Sequence, residues 1–212
     1  IGAAAVQAQW APRDLPPHRL TLIDTPGHID FAIEVERSLR VLDGAVAVFS
    51  AVDGVQPQSE TVWRQARRHG VPSIAFVNKM DRVGADFGRV LEQMQDKLQA
   101  RPWALGVPLG SESAFNGWVD LVDERVLQWH DDGTTTVSAW DDAARAQWRA
   151  HRQALIEAVA DHDDALADAW LEGRAIDAAL LRAALRRATL AGAGVPVLAG
   201  AAFKDKGIET LL

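Results

Sequence analysis

Four short apolar runs stand out along the chain: RLTLID at 19–24, AVAVFS at 45–50, SIAFVN at 73–78 and VPVLAG at 195–200. Short runs of this kind between helical intervals predict strands buried on both faces, as in a parallel sheet. The intervals carry a different period. Phe31, Val35, Leu39 and Leu42 recur at helical spacing after Asp30, a residue suited to capping a helix. Ser59 to His69 predicts a second helix, closed by Arg67, Arg68 and His69, the charge that a helix C-terminus favours. Phe87, Val90, Leu91, Met94 and Leu98 make a third apolar stripe. Strand and helix in alternation predict an α/β fold with a doubly wound, mostly parallel sheet.

The alternation then stops for nearly one hundred residues before the last strand. Within this interval GWVDLVDERVLQWHDDGTTTVSAW (117–140) alternates and turns like an antiparallel ribbon, with Asp132-Gly133 as a hairpin signal. Residues 142–190 follow as helices, with one stripe at Ala144, Trp148, Leu155 and Val159 and another at Ile176, Leu180, Ala184 and Ala188. The expected organisation is an inserted α+β subdomain at 104–194, with 1–103 and 195–212 forming the main domain. Five of the eight Trp fall in the insertion, which suits the packed core of a small unit.

Composition narrows the picture. With 48% hydrophobic and 24% charged residues, the 212-residue chain reads as folded and soluble rather than disordered. There is no Cys, so disulfides and thiolate metal sites are excluded. No run approaches the roughly 18 apolar residues of a membrane helix, and no signal-peptide pattern opens the chain. A cytoplasmic location without membrane contact is expected. The net charge of −7 is unevenly placed: residues 120–177 hold fourteen Asp and Glu against five Arg. That asymmetry gives the insertion a surface unlike the rest, either a solvated acidic face or one that meets protein rather than RNA.

In an open parallel sheet, ligands bind beyond the carboxyl ends of the strands. Those ends read Asp24-Thr25-Pro26-Gly27-His28, Asn78-Lys79-Met80-Asp81 and Gly200-Ala201-Ala202-Phe203-Lys204. One carboxylate at Asp81 can accept both N1–H and the 2-amino group of guanine, whereas adenine lacks that donor edge and would leave the carboxylate unpaired. Asn78 is suited to N7 and to tying loops together, the Lys79 stem to the base plane, and an Ala201 or Ala202 amide to O6. Asp24 suits a magnesium ion held through water. Gly27 offers an unobstructed amide to a γ-phosphate, and His28 is placed to orient an attacking water. Asp-x-x-Gly alone is weak and Asn-Lys-x-Asp alone moderate. Together, each directly after an apolar strand, they point to guanine.

The stretches LIDTPGHIDFAIEVERSLRVLDGAVAVFSAVDGVQPQSETVWRQA, VPSIAFVNKMDRVGADF and GAAFKDKGIETLL resemble the nucleotide-binding domain of the bacterial elongation factor G family, translational GTPases of the ribosome. FNGWVDLV and the Trp129 region resemble that family's inserted subdomain. The resemblance implies a P-loop GTPase fold, GTP or GDP with Mg2+ as ligands, and translocation on the ribosome as the task. It assigns Asp24 and Gly27 to the magnesium and γ-phosphate switch, His28 to the attacking water, and Asn78, Lys79 and Asp81 to guanine. Ala201, Ala202 and Phe203 would close over the base, with Ala201 standing where the family usually has Ser. A monomer is implied, with the ribosomal stalk protein as partner of the insertion through Arg182, Arg186 and Arg187. Two alternatives keep part of this reading: a tetracycline-protection or peptide-release GTPase, and a ribosome-docking paralogue that does not hydrolyse nucleotide.

No Gly-x-x-x-x-Gly-Lys-Ser/Thr occurs in these 212 residues. The phosphate loop and the first strand of the family are thus missing, and the chain is expected to be a fragment, inactive alone. That strand would lie between 19–24 and 45–50, so those two runs are expected not to pair directly.

Overall fold

The computed structural model describes residues 4–11, 16–24 and 32–212. Strands β1 (Ala4–Trp10) and β2 (His18–Asp24) form an antiparallel pair running from Ala4 opposite Asp24 to Trp10 opposite His18. Helix α1 (Ala32–Leu39) follows, then β3 (Ala45–Ser50), α2 (Pro57–Arg68), β4 (Ser73–Asn78) and α3 (Phe87–Leu98). A short β5 (Pro102–Ala104) leads into β6 (Gly106–Leu109), β7 (Gly117–Asp120), β8 (Arg125–Trp129) and β9 (Thr135–Ala139). Three helices, α4 (Asp142–Ala160), α5 (Asp164–Leu171) and α6 (Ala178–Leu190), precede β10 (Val195–Ala199) and the terminal turn α7 (Ile208–Leu211).

The central sheet is parallel, in the order β3-β4-β10-β5. β10 lies between two neighbours and is buried along its whole length, as a continuous apolar strand should be. β3 lies at the edge and leaves Val46 and Val48 exposed. The reading of 19–24 as a strand buried on both faces is corrected by the structure. Among the described residues β2 pairs only with β1, and Leu22 remains 56% exposed. Apolar sequence made it a strand, but none of the described elements covers its faces. Among the same residues no ladder joins β2 to β3.

The second sheet is antiparallel, in the order β6-β7-β8-β9. Its β8–β9 turn carries Gly133 at φ 82°, a conformation that glycine adopts without steric cost. Its inner side chains do not form a separate core. Phe115, Trp118 and Leu127 share one cluster with Phe76, Phe87 and Met94 of the central domain. A second cluster joins Trp103, Val119 and Leu121 to Leu155, Val159, Leu166, Leu181 and Leu185. The helices α4 to α6 are each started by an aspartate, Asp141, Asp163 and Asp177, whose side chain accepts an amide of the first turn. α6 buries Leu181, Ala184, Leu185 and Ala188. Ala184 and Ala188 of the expected stripe face inward, while Ile176 and Leu180 are only partly buried against the same cluster. It is apolar on most sides, so the period alone did not fix its inward face.

Candidate guanine-nucleotide site

β4 and β10 are neighbours in the sheet, with Ala199 beside Val77, so the loops at 78–86 and 200–207 leave the same edge together. Gly200 is the point of closest approach. Its N–H donates to Val77 O at 2.9 Å and its carbonyl accepts from Met80 N–H at 3.1 Å. A Cβ there would stand 2.3 Å from Lys206 O and 2.6 Å from the Phe76 ring, so only glycine lets the loops close. Asn78 Oδ1 accepts from its neighbour Lys79 N–H at 2.7 Å and from Ala202 N–H at 2.9 Å.

Lys79 takes a φ of 66°, and its Nζ stands 3.5 Å from Asp53 Oδ2 in the loop after β3. The Ser50 hydroxyl, and after it the Lys79 ammonium, hold the Asp53 carboxyl below its usual range. Arg89 on α3 fastens the same loop, donating to Ala51 O, Val52 O and Gly84 O. The Asp81 side chain is only 12% exposed, and its Oδ2 lies 3.2 Å from Lys204 Nζ. The structure therefore brings Asn78, Lys79, Asp81, Ala201 and Ala202 to one edge.

At the same edge, Ala201 N–H donates to Lys206 O at 3.0 Å and Ala202 N–H to Asn78, so neither amide is idle. Phe203 is 96% exposed beside the site. Asp24 is exposed at the end of β2, opposite Ala4 in the hairpin. Gly27 and His28, like the proposed cap Asp30 and Phe31, lie outside the described residues. Of the three arginines on α6, Arg182 pairs with Asp123 and Arg187 with Asp163, while exposed Arg186 has no partner among the described residues. Sequence reasoning missed Lys204, Asp53 and Arg89, since a lone charge in a loop carries no signal of what it faces.

The family profile described as the elongation factor Tu GTP binding domain matches residues 1–212. The chain belongs to this family. Among the family's curated members, elongation factor G 1 of Geobacter sulfurreducens is 57% identical over 202 residues. The match takes in 92% of this chain and 29% of that relative, so the chain spans less than a third of the relative's length. A crystal structure from Thermus thermophilus superposes with a TM-score of 0.82 at 27% identity, covering 98% of this chain and 30% of the other. The Geobacter relative bears the name of the factor that the motifs resemble, which favours that reading over the tetracycline-protection and peptide-release alternatives.

Proposed function

We propose that this GTP-binding domain serves a ribosomal translocation factor, binding GTP and hydrolysing it during protein synthesis. The observation that carries the reading is the pairing of the two loops: Asn78 Oδ1 on the Ala202 amide, with the nearly buried Asp81 carboxylate alongside. A carboxylate so enclosed needs donors. Lys204 supplies one, and the N1–H and 2-amino edge of guanine supplies two more. The Asn78 amide nitrogen is the donor for N7, and O6 shares the Ala202 N–H as a second acceptor. Lys79 offers its aliphatic stem to the base plane.

The hydrolytic end rests on sequence. By its place in the motif Gly27 is assigned the γ-phosphate and His28 the water whose oxygen attacks phosphorus. The bond to the β–γ bridging oxygen breaks, giving GDP and inorganic phosphate. A single exposed carboxylate at Asp24 fits a magnesium ion held mainly by water and phosphate oxygens. When bound, the ion supplies neutralising charge to the phosphates.

The factor acts as a monomer in the cytoplasm, and its insertion docks on the ribosomal stalk protein. Arg186, exposed and without a partner among the described residues, is the contact we assign to it, since Arg182 and Arg187 are paired within the chain. Competition binding on the full-length protein tests the core of the reading. GDP should displace a labelled guanine nucleotide at concentrations about 100-fold below those needed for ADP, as expected where buried polar groups would be left unpaired by the wrong base. Equal affinity for GDP and ADP would overturn it.

A further inference from the structure

The two guanine loops are tied to each other and also to the first turn of the insertion. After β6 the chain makes a short 3-10 turn at Glu112–Ala114. Glu112 N–H donates to Met80 O at 2.8 Å, and Glu112 Oε1 accepts from Gly84 N–H at 2.7 Å. These two bonds bracket the segment that contains Asp81. Three residues further on, Phe115 O accepts from Lys206 Nζ at 2.9 Å. Lys206 is paired through its backbone with Ala201, at the start of the second loop. One turn of the insertion thus holds both loops.

The anchor behind this turn is rigid. Phe115 is 1% exposed within the central cluster, and its ring centroid lies 5.3 Å from that of Trp129. Apart from Glu112, the outer part of the first loop keeps local backbone bonds, Arg82 N–H to Lys79 O and Ala85 N–H to Arg82 O, a 3.3 Å bond from Arg89 to Gly84 O, and the pair of Asp81 with the half-exposed Lys204 side chain. Of the side-chain ties, the Glu112 carboxylate on Gly84 N–H is the shortest at 2.7 Å, and it comes from an element anchored in the core.

We infer that Glu112 and Lys206 are positioning residues for guanine recognition, through which the insertion sets the place of the Asp81 carboxylate. This rests on the guanine reading above. Neither residue touches the base. Glu112 acts through the Met80–Gly84 segment, and Lys206 fixes the loop that carries the Ala202 amide.

The test compares GDP with inosine diphosphate, which lacks the 2-amino group, on the full-length protein. The ratio of the two affinities reports the contact between Asp81 and that amino group. Glu112→Ala should weaken GDP binding about tenfold, the cost of a lost hydrogen bond to a charged group, and move the ratio toward one. Glu112→Gln keeps an oxygen for the Gly84 amide and should restore most of both. Lys206→Met, which removes the other tie, should weaken GDP binding in the same direction. The inference is overturned if Glu112→Ala binds GDP as the parent does. It is equally overturned if affinity falls with an unchanged ratio, or if Glu112→Gln loses as much as Glu112→Ala. A parent protein that binds GDP no better than ADP would instead sink the guanine reading, and this inference with it.

Discussion

Asn78 Oδ1 stands 2.9 Å from the Ala202 amide nitrogen across 124 positions of sequence, while also accepting from Lys79 N–H at 2.7 Å. One side chain therefore joins the two loops and fixes a lysine at positive φ. Asn78→Ala would strip two amides of their acceptor at once. The Ala202 amide is partly buried, and losing its bond together with the proposed N7 donor costs about 0.5–1.5 kcal/mol each, so GDP affinity of the full-length protein should fall about tenfold. Calorimetric titration of GDP into parent and variant checks this, and an unchanged affinity would mean the loops stay joined without Asn78.

Asp81→Asn should exchange base preference rather than abolish binding. The amide still accepts N1–H but now donates where guanine has its 2-amino group. Xanthine carries a carbonyl there. We expect guanine affinity to fall and xanthine affinity to rise, each by about 1–3 kcal/mol, the range for making or orphaning such a contact. Parallel titrations with GDP and xanthosine diphosphate give the answer. Undiminished preference for GDP would remove Asp81 from the base.

How far these contacts were legible follows from what each residue type reports. Asn78 and Asp81 could be found because strand ends are marked by apolar runs, and their spacing repeats a chemical need. The Asn78–Ala202 contact could be anticipated only as loop-tying, since register decides which amide is met. Glu112, Lys204 and Lys206 gave no warning, because a charged loop residue looks alike whether solvated or bridging. RLTLID and SIAFVN both read as buried apolar strands, yet β2 is mostly exposed and β4 buried at its centre, because burial depends on neighbouring layers and not on the strand alone. β5 escaped notice at three residues, too short to show any period. The ribbon at 117–140 was readable from alternation and Asp132-Gly133, whereas β6, interrupted by Pro108, was not.

The bond between Asp163 and Arg187 gives the chain a pH dependence of known sign. Asp163 caps α5 through Leu166 N–H and accepts from Arg187 Nε at 2.7 Å and Nη2 at 2.9 Å. These contacts, the arginine bond foremost, lower its carboxyl pKa from the ordinary 3.8. A depressed carboxyl contributes stability that is present above the unfolded value and lost as pH falls through the folded one. Asp163→Asn preserves the cap oxygen and removes the charge. The variant should melt below the parent near neutral pH, and the gap should close as the pH falls past the ordinary carboxyl value of 3.8 and through the lowered folded one. Melting curves by tryptophan fluorescence across this range test it, and a gap independent of pH would contradict the assignment.

The same pairing separates the arginines of α6 by role. Reversing Arg187 would set a carboxylate against Asp163, and reversing Arg182 would do so against Asp123, so both changes damage the fold before they report on a partner. Arg186 is exposed and unpaired among the described residues, and it leaves the fold untouched when reversed. If the insertion docks on an acidic face of the stalk protein, Arg186→Glu should slow stalk-dependent GTP turnover on ribosomes, roughly threefold or more, because a rim charge acts mainly on the rate of encounter. Raising the salt concentration should shrink the difference as the charges are screened. GDP affinity and melting temperature should stay at the parent's values. Turnover unaltered at low salt would exclude this helix face from docking, and a lowered melting temperature would show that Arg186 has a structural partner after all.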